Sequence, residues 1–292
     1  MAIPFRWDIG HRAGLGRLLH GEASQVYPGF LGDLRRCAAR IVAGSNNSNL
    51  VFIGRSPESA YDYLSGMLAE TSWACRLKHL NVSMRGDSIA EIRSTYPAAV
   101  YALREYLSTL ELTPQDVATA ERGLTLVDLV ASGETMRLTL QFIRLWAREC
   151  RIDESAVLRR LRILGITSEY KPSPSTYRWQ QHAKWTGQLS PGQIRNISIP
   201  WRLWDFLGNK QSKLTPSFHP AFWNSALVSS PTRSEESLKA LRFARALFTR
   251  ACTGKERELF ISELVKPRHL KHPWLRSLIA ELRNYTREVR AR

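Results

Sequence analysis

"GLTLVDLVASGETM", Gly123 to Met136, is the stretch whose reading decides the fold. An apolar run ends at Asp128, small and hydroxylated residues follow, and a helical pattern opens at once. The spacing predicts a buried strand over Leu124 to Asp128 and a helix over Met136 to Arg148. A strand that feeds a helix in a parallel sheet places its loop at the carboxyl edge, where open α/β sheets take ligands. Val130 to Thr135 lie just ahead of the helix, so their backbone N–H groups and the helix dipole favour an anion. Gly133 permits a close approach of backbone to ligand, and the hydroxyls of Ser132 and Thr135 can donate to phosphate oxygens. Asp128 does not bind phosphate itself; it is placed to accept from hydroxyls beside the phosphate, as on a ribose. The plainer alternative is a strand–turn–helix in which Asp128 only caps the turn.

Working outward, the same pattern recurs upstream. "LVFIG", Leu50 to Gly54, predicts a buried strand, and "RSPESAYDYLSGML" a helix with Ser56 as N-cap and Pro57 at its first position. Gly54, Arg55 and Ser56 thus form a second loop at a strand's end, with Arg55 adding full positive charge. A solvated Arg55 beside an ordinary capped helix is the alternative. Tyr27 to Ala43 has apolar residues at helical spacing. Arg76 to Met84 alternates as a strand does and "RGDS" after it is a turn. "SIAEIRSTYPAAVYALREYLSTL" is helical with a break near Pro97, and Leu161 to Ser168 predicts a further strand. Strands alternating with helices predict an α/β fold, three layers about a mainly parallel sheet.

The chain has 292 residues, 43% of them hydrophobic and 23% charged, values of a globular protein rather than a disordered one. No apolar run reaches a membrane span and no signal-peptide stretch opens the chain. Four scattered cysteines without metal spacing point to reduced thiols and a cytoplasmic protein. Charge is uneven: of the net +16, residues 1–150 carry +1 and the rest +15. Such a field attracts polyanions, nucleic acid among them, although a basic solvated surface is the plain alternative. GxxxxGK[ST], HExxH and GxSxG are absent, and no metal ligands can be named.

With both loops in view, the chain over roughly 28–168 resembles the type I phosphoribosyltransferases. Their signature is an apolar strand, two adjacent acids, two or three small or apolar residues, then Thr/Ser-Gly-x-Thr. "LTLVDLVASGET" is similar, with Asp128 at the second acid and Ser132, Gly133, Glu134 and Thr135 at the loop that grips a 5′-phosphate. Gly54, Arg55 and Ser56 look like the loop that holds pyrophosphate. "RLKHLNVSMRGDS" looks like the strand and start of a mobile closing loop, with Arg85 its candidate residue and Lys78 a weaker one. One departure is plain: the first acid is Val127 here.

The resemblance implies a phosphoribosyltransferase-like fold and, as catalytic residues, Asp128, Arg55 and Arg85. It also implies phosphoribosyl pyrophosphate as donor, Mg²⁺ as cofactor, and transfer or cleavage of a ribosyl phosphate. It leaves room for a homodimer. Some family members bind nucleotides without catalysis, and some similar proteins act as effectors or toxins, including in anti-phage defence. That is the alternative: a fold that binds nucleotide and docks on RNA or DNA through its basic half.

The texture changes after the core, and the expected division is 1–168 as the α/β core, 169–230 as an aromatic and basic hood, and 231–292 as a basic helical region. Tyr177, Trp179, Trp185, Trp201, Trp204 and Phe206, among Arg178, Lys184, Arg195 and Arg202, offer faces on which an acceptor base could stack; Trp179 and Trp185 are the named candidates. Packing of the same rings into a core is the alternative. The last region predicts helices that carry Lys239, Arg242, Arg245 and Arg250, then Arg283, Arg287 and Arg290 on one face.

Overall fold

A computed structural model describes residues 6–11, 14–84, 88–170, 179–225, 232–265 and 271–291, the stretch from 285 onward for its backbone alone. In chain order the larger elements are α1 (Phe30–Gly44), β1 (Asn49–Ile53), α2 (Glu58–Met67), β2 (Leu77–Leu80), α3 (Ile89–Thr95), α4 (Pro97–Thr109) and α5 (Pro114–Thr119). Then come β3 (Leu124–Leu129), α6 (Glu134–Glu149), α7 (Glu154–Arg160), β4 (Leu161–Ser168), α8 (Trp179–His182), β5 (Ile194–Ile199) and α9 (Trp201–Asp205). Helices α10 (Glu235–Ala251), α11 (Gly254–Leu264) and α12 (Pro273–Ala291) close the chain. The five strands form one sheet in the order β2-β1-β3-β4-β5, and every neighbouring pair is parallel.

The three layers follow from strand geometry. Successive side chains of a strand point to opposite faces. Leu50 and Phe52 therefore enter one apolar layer, with α1, α2, α10, α11 and α12, while Val51 and Ile53 enter the other, with α3, α4 and α6. A strand covered on both faces reads as an unbroken apolar run, which is why β1 and β3 were plain in the sequence. Burial on α6 of Met136, Phe142, Ile143 and Trp146 stabilises by roughly 1.5–3 kcal/mol per side chain before entropy is counted.

Two expectations need correction. Helix α2 starts at Glu58, with Pro57 as N-cap and no side-chain cap, so Ser56 does not cap it. The second strand is shorter than Arg76 to Met84 and ends at Leu80. Strand β5 was missed: in "IRNISI" the polar Arg195, Asn196 and Ser198 interrupt the apolar run, as suits the last strand of the sheet. In the later segments β5 completes the sheet, and α10 to α12 share an apolar layer with α1 and α2.

Part of the C-terminal basic charge is structural as well. Arg242 donates to the carbonyls of Leu18 and Glu22 at 3.1 Å each, and Arg245 to those of Ile9 and Gly10, so both hold the N-terminal segment on α10. Arg283 is exposed on α12, whereas the side chains of Arg287 and Arg290 lie outside the described residues, as do Tyr177 and Arg178. Among the described residues no helix is long and apolar enough to cross a membrane.

Candidate functional site

Strand order fixes where a ligand fits. The chain leaves β1 for α2 on one face of the sheet and β3 for α6 on the other, although β1 and β3 are neighbours. Such a topological switch opens a crevice beyond the carboxyl ends of the two strands. A cleft of about 520 Å³ lies there, lined by Gly54, Arg55 and Ser56 from the first loop and by Ala131 to Thr135 from the second. Asp128 also lines it. Two loops read separately from the sequence thus face one space.

The second loop is shaped by Gly133. Its φ is +80°, a left-handed conformation, and an added Cβ would lie 2.6 Å from the Trp179 ring. Glycine is the residue that meets both demands. As N-cap of α6 it has no side chain to satisfy the helix's first N–H groups, and Ala131 and Ser132 beside it are exposed. Among the described residues the sixteen-residue helix therefore begins with open donors at the cleft. Glu134 turns toward Arg137, which donates from Nε at 2.8 Å and lowers the Glu134 pKa.

The first loop is held by its own carbonyls. Gly54, at φ +69°, donates its N–H to the Leu80 carbonyl at 2.8 Å. The Gly54 carbonyl lies 2.8 Å from His79 Nε2, which must be the donor because a carbonyl only accepts. Burial, with the Arg6 charge second, drives the His79 pKa down to about 3, so the ring is neutral at ordinary pH. Gln211 donates to the Ser56 carbonyl at 2.8 Å and to the Arg55 carbonyl at 3.3 Å. Among the described residues the Arg55 guanidinium has no hydrogen-bond acceptor, and the side chain stands on the cleft wall.

The cleft pairs an acid with a base. Asp128 is 9% exposed and accepts from the Leu129 N–H at 2.7 Å. Burial pushes its pKa up to about 8, against that hydrogen bond and the nearby Lys213 charge. Lys213 donates to the Leu207 carbonyl at 2.6 Å, and burial lowers its pKa to about 8. Val127, where the resemblance places a first acid, is 0% exposed and points into the apolar layer beside Phe52. Only the second position of the pair reaches the cleft.

Trp204, one of the aromatic candidates for the acceptor, lines the cleft, together with Lys213, Asn81, Gly208 and Asn209, which the sequence did not single out. Asn81 was findable, because it directly follows β2 at the ligand-binding edge. Its Nδ2 donates to the Pro216 carbonyl at 3.0 Å, while its buried Oδ1 has no partner among the described residues. Gly208, Asn209 and Lys213 carried no signal, since they follow a strand that the polar residues of β5 hide.

Other expected residues lie elsewhere. Trp179 is 4% exposed, supports Gly133 from below and donates its indole N–H to Asn196 Oδ1 at 2.9 Å, so its ring is not open to a stacking base. Trp185 stands 5.8 Å from Trp179 and lines a separate 230 Å³ hollow with Arg137, Arg144 and Arg148. Lys78 is taken by the Leu110 carbonyl and Glu111, both at 2.6 Å. Arg85 lies outside the described residues. Neither protein-family models, nor curated proteins, nor solved structures yield a match to this chain.

Proposed function

We propose that the cleft holds a phosphorylated ribose and that the protein is a phosphoribosyltransferase-like enzyme acting on phosphoribosyl pyrophosphate or a related nucleotide. One observation carries this reading: loops from two neighbouring central strands, one ending on open helix N–H groups and one bearing Arg55, face each other across Asp128. The 5′-phosphate sits on the N–H groups of the Ser132 to Thr135 turn and the Thr135 hydroxyl. Arg55 and Lys213 meet the charge of the leaving pyrophosphate. Asp128 accepts from the ribose hydroxyls and turns the sugar so that C1 faces the acceptor.

Asp128 also fits Mg²⁺, a cation held by one or two carboxylates together with substrate phosphates. The physical sign is a carboxyl on the cleft wall whose pKa burial raises to about 8 in spite of the Leu129 N–H and the Lys213 charge. When bound, the ion would neutralise charge on the leaving group. A second reading, nucleotide binding without turnover, is favoured by Val127, whose burial leaves the ribose a single acid.

The test is pyrophosphate release from phosphoribosyl pyrophosphate with Mg²⁺ and a panel of bases. Release that disappears in Asp128→Asn and Thr135→Ala supports the enzyme. Thermal stabilisation by the donor without release supports the binding module. No stabilisation by the donor, with or without Mg²⁺, defeats both.

A further inference from the structure

Beyond the cleft wall, three aromatic rings run outward to the surface. Trp204 lines the cleft and stacks on Trp201, with ring centroids 5.2 Å apart and planes inclined by 17°. Tyr170 continues the row 6.5 Å from Trp201. Trp201 is 44% and Tyr170 73% exposed, so two large rings stand in water next to a candidate site. Large exposed rings in one row mark a contact surface more than scattered ones do.

The flanking charge is mixed but keeps cationic groups in reach. Arg202 binds Asp33 at 2.7 Å with its side chain 57% exposed, and Lys210 binds Asp205 at 2.6 Å with its side chain 69% exposed. Both retain donors that these partners do not use. Trp201, Arg202 and Lys210 also border a second hollow of about 680 Å³, floored by Tyr27 and Phe206. Glu169, beside Tyr170, is the exposed acid of this region.

We infer that single-stranded nucleic acid docks along Trp204, Trp201 and Tyr170, so that the nucleoside met by the cleft belongs to a strand rather than a free base. A free base covers one ring, whereas the row offers three. Paired bases cannot expose their faces to such rings, so a duplex gains only from charge. The net charge of +16 matches a polyanion. The inference rests on the proposed cleft function for what happens to the nucleoside; the docking itself does not depend on catalysis.

Fluorescence anisotropy of a labelled oligouridylate, an oligothymidylate and a duplex tests it. The single strands are expected to bind at least tenfold more tightly than the duplex. Trp201→Ala and Tyr170→Ala are each expected to weaken strand binding roughly tenfold, with Trp201→Tyr recovering most of the loss. Tyr170 is 73% exposed, so the melting temperature of Tyr170→Ala should be unchanged, and Trp201→Tyr, which keeps a ring against Trp204, controls for lost packing in Trp201→Ala. Lys210→Gln is expected to lower the salt slope by about one. Equal affinity for duplex, competition by polyglutamate at equal charge, or indifference to both alanine variants would overturn the inference. Donor-induced thermal stabilisation, measured on the same variants, separates the two claims. If it persists while strand binding is absent, docking alone fails; if it is absent while strand binding follows these rings, only the cleft reading fails.

Discussion

The two loops of the cleft look alike in outline and differ in how they are held. Each follows a central strand, turns on a glycine at positive φ and precedes a helix. Around Gly54 the carbonyls are occupied: His79 takes one, Gln211 two more, and the loop is fixed from below and above. Around Gly133 the support is a packed ring, Trp179, and the polar groups toward the cleft remain open. A loop whose polar groups are spent on the protein presents its side chain, here Arg55. A loop braced by apolar contact presents its backbone donors. The difference matches the proposed division of labour between pyrophosphate and 5′-phosphate.

The largest effect is expected at the acid between the loops. Above pH 8, where the Asp128 carboxyl is ionised, Asp128→Asn removes charge from an acceptor of two sugar hydroxyls, each such bond worth about 1.5–3 kcal/mol. Donor binding or turnover should fall on the order of a hundredfold, read by donor-induced thermal shift or pyrophosphate release. An unchanged value would leave Asp128 with no part in either loop's task. Thr135→Ala, which removes one hydroxyl and spares the N–H groups, should cost roughly tenfold.

The glycines break the comparison more directly. Gly133→Ala and Gly54→Ala both impose positive φ on alanine, but the new methyl would meet the Trp179 ring at 2.6 Å in one and the Val82 carbonyl at an ordinary 3.4 Å in the other. Chemical denaturation should show a loss of about 2–4 kcal/mol for Gly133→Ala, strain plus overpacking, against about 1 kcal/mol for Gly54→Ala. Equal losses would mean that Trp179 does not brace its loop. Gln211→Leu takes donors from the Arg55, Ser56 and Leu207 carbonyls and should cost about 1–3 kcal/mol. Its effect on donor binding should exceed that of an equally destabilising core substitution, because it frees the Arg55 loop.

How much of this was legible in the sequence follows from burial. Strands covered on both faces announced themselves as apolar runs, and the loops after them could be placed at one edge by the parallel alternation. The segment Trp204 to Lys213 could not, because it hangs from β5, whose polar residues hide the strand. For Trp179 the packed alternative holds: the ring is 4% exposed and fills the space beside Gly133. Its spacing could not tell a ring that stacks on ligand from one that fills the space beneath a glycine. Lys213 gave no cue because nothing local predicts that a lysine will share a cleft with an acid.

A last effect, small beside the loss of donor binding, concerns Asp128 and Lys213 and runs opposite in sign to the first prediction. Burial raises the Asp128 pKa to about 8 in the folded chain from the ordinary 3.8 that it has unfolded. Between those values the unfolded chain has released the proton and the folded one keeps it, so stability falls as pH rises from about 4 to 8. Lys213 has the reverse linkage: its pKa drops from 10.5 to about 8, so the folded chain gives up a proton that the unfolded one retains, and stability recovers above pH 8. The contribution of the two groups together therefore has its minimum near pH 8. Asp128→Asn removes the first limb. It should raise the melting temperature of the ligand-free protein at pH 8 by several degrees, on the order of 1–2 kcal/mol, and leave it nearly unchanged at pH 4. A substitution that strengthens the empty protein while weakening its hold on the donor would mark Asp128 as a group retained for ligand rather than for folding. Uniform destabilisation at both pH values would instead make it a structural cap of the turn after β3.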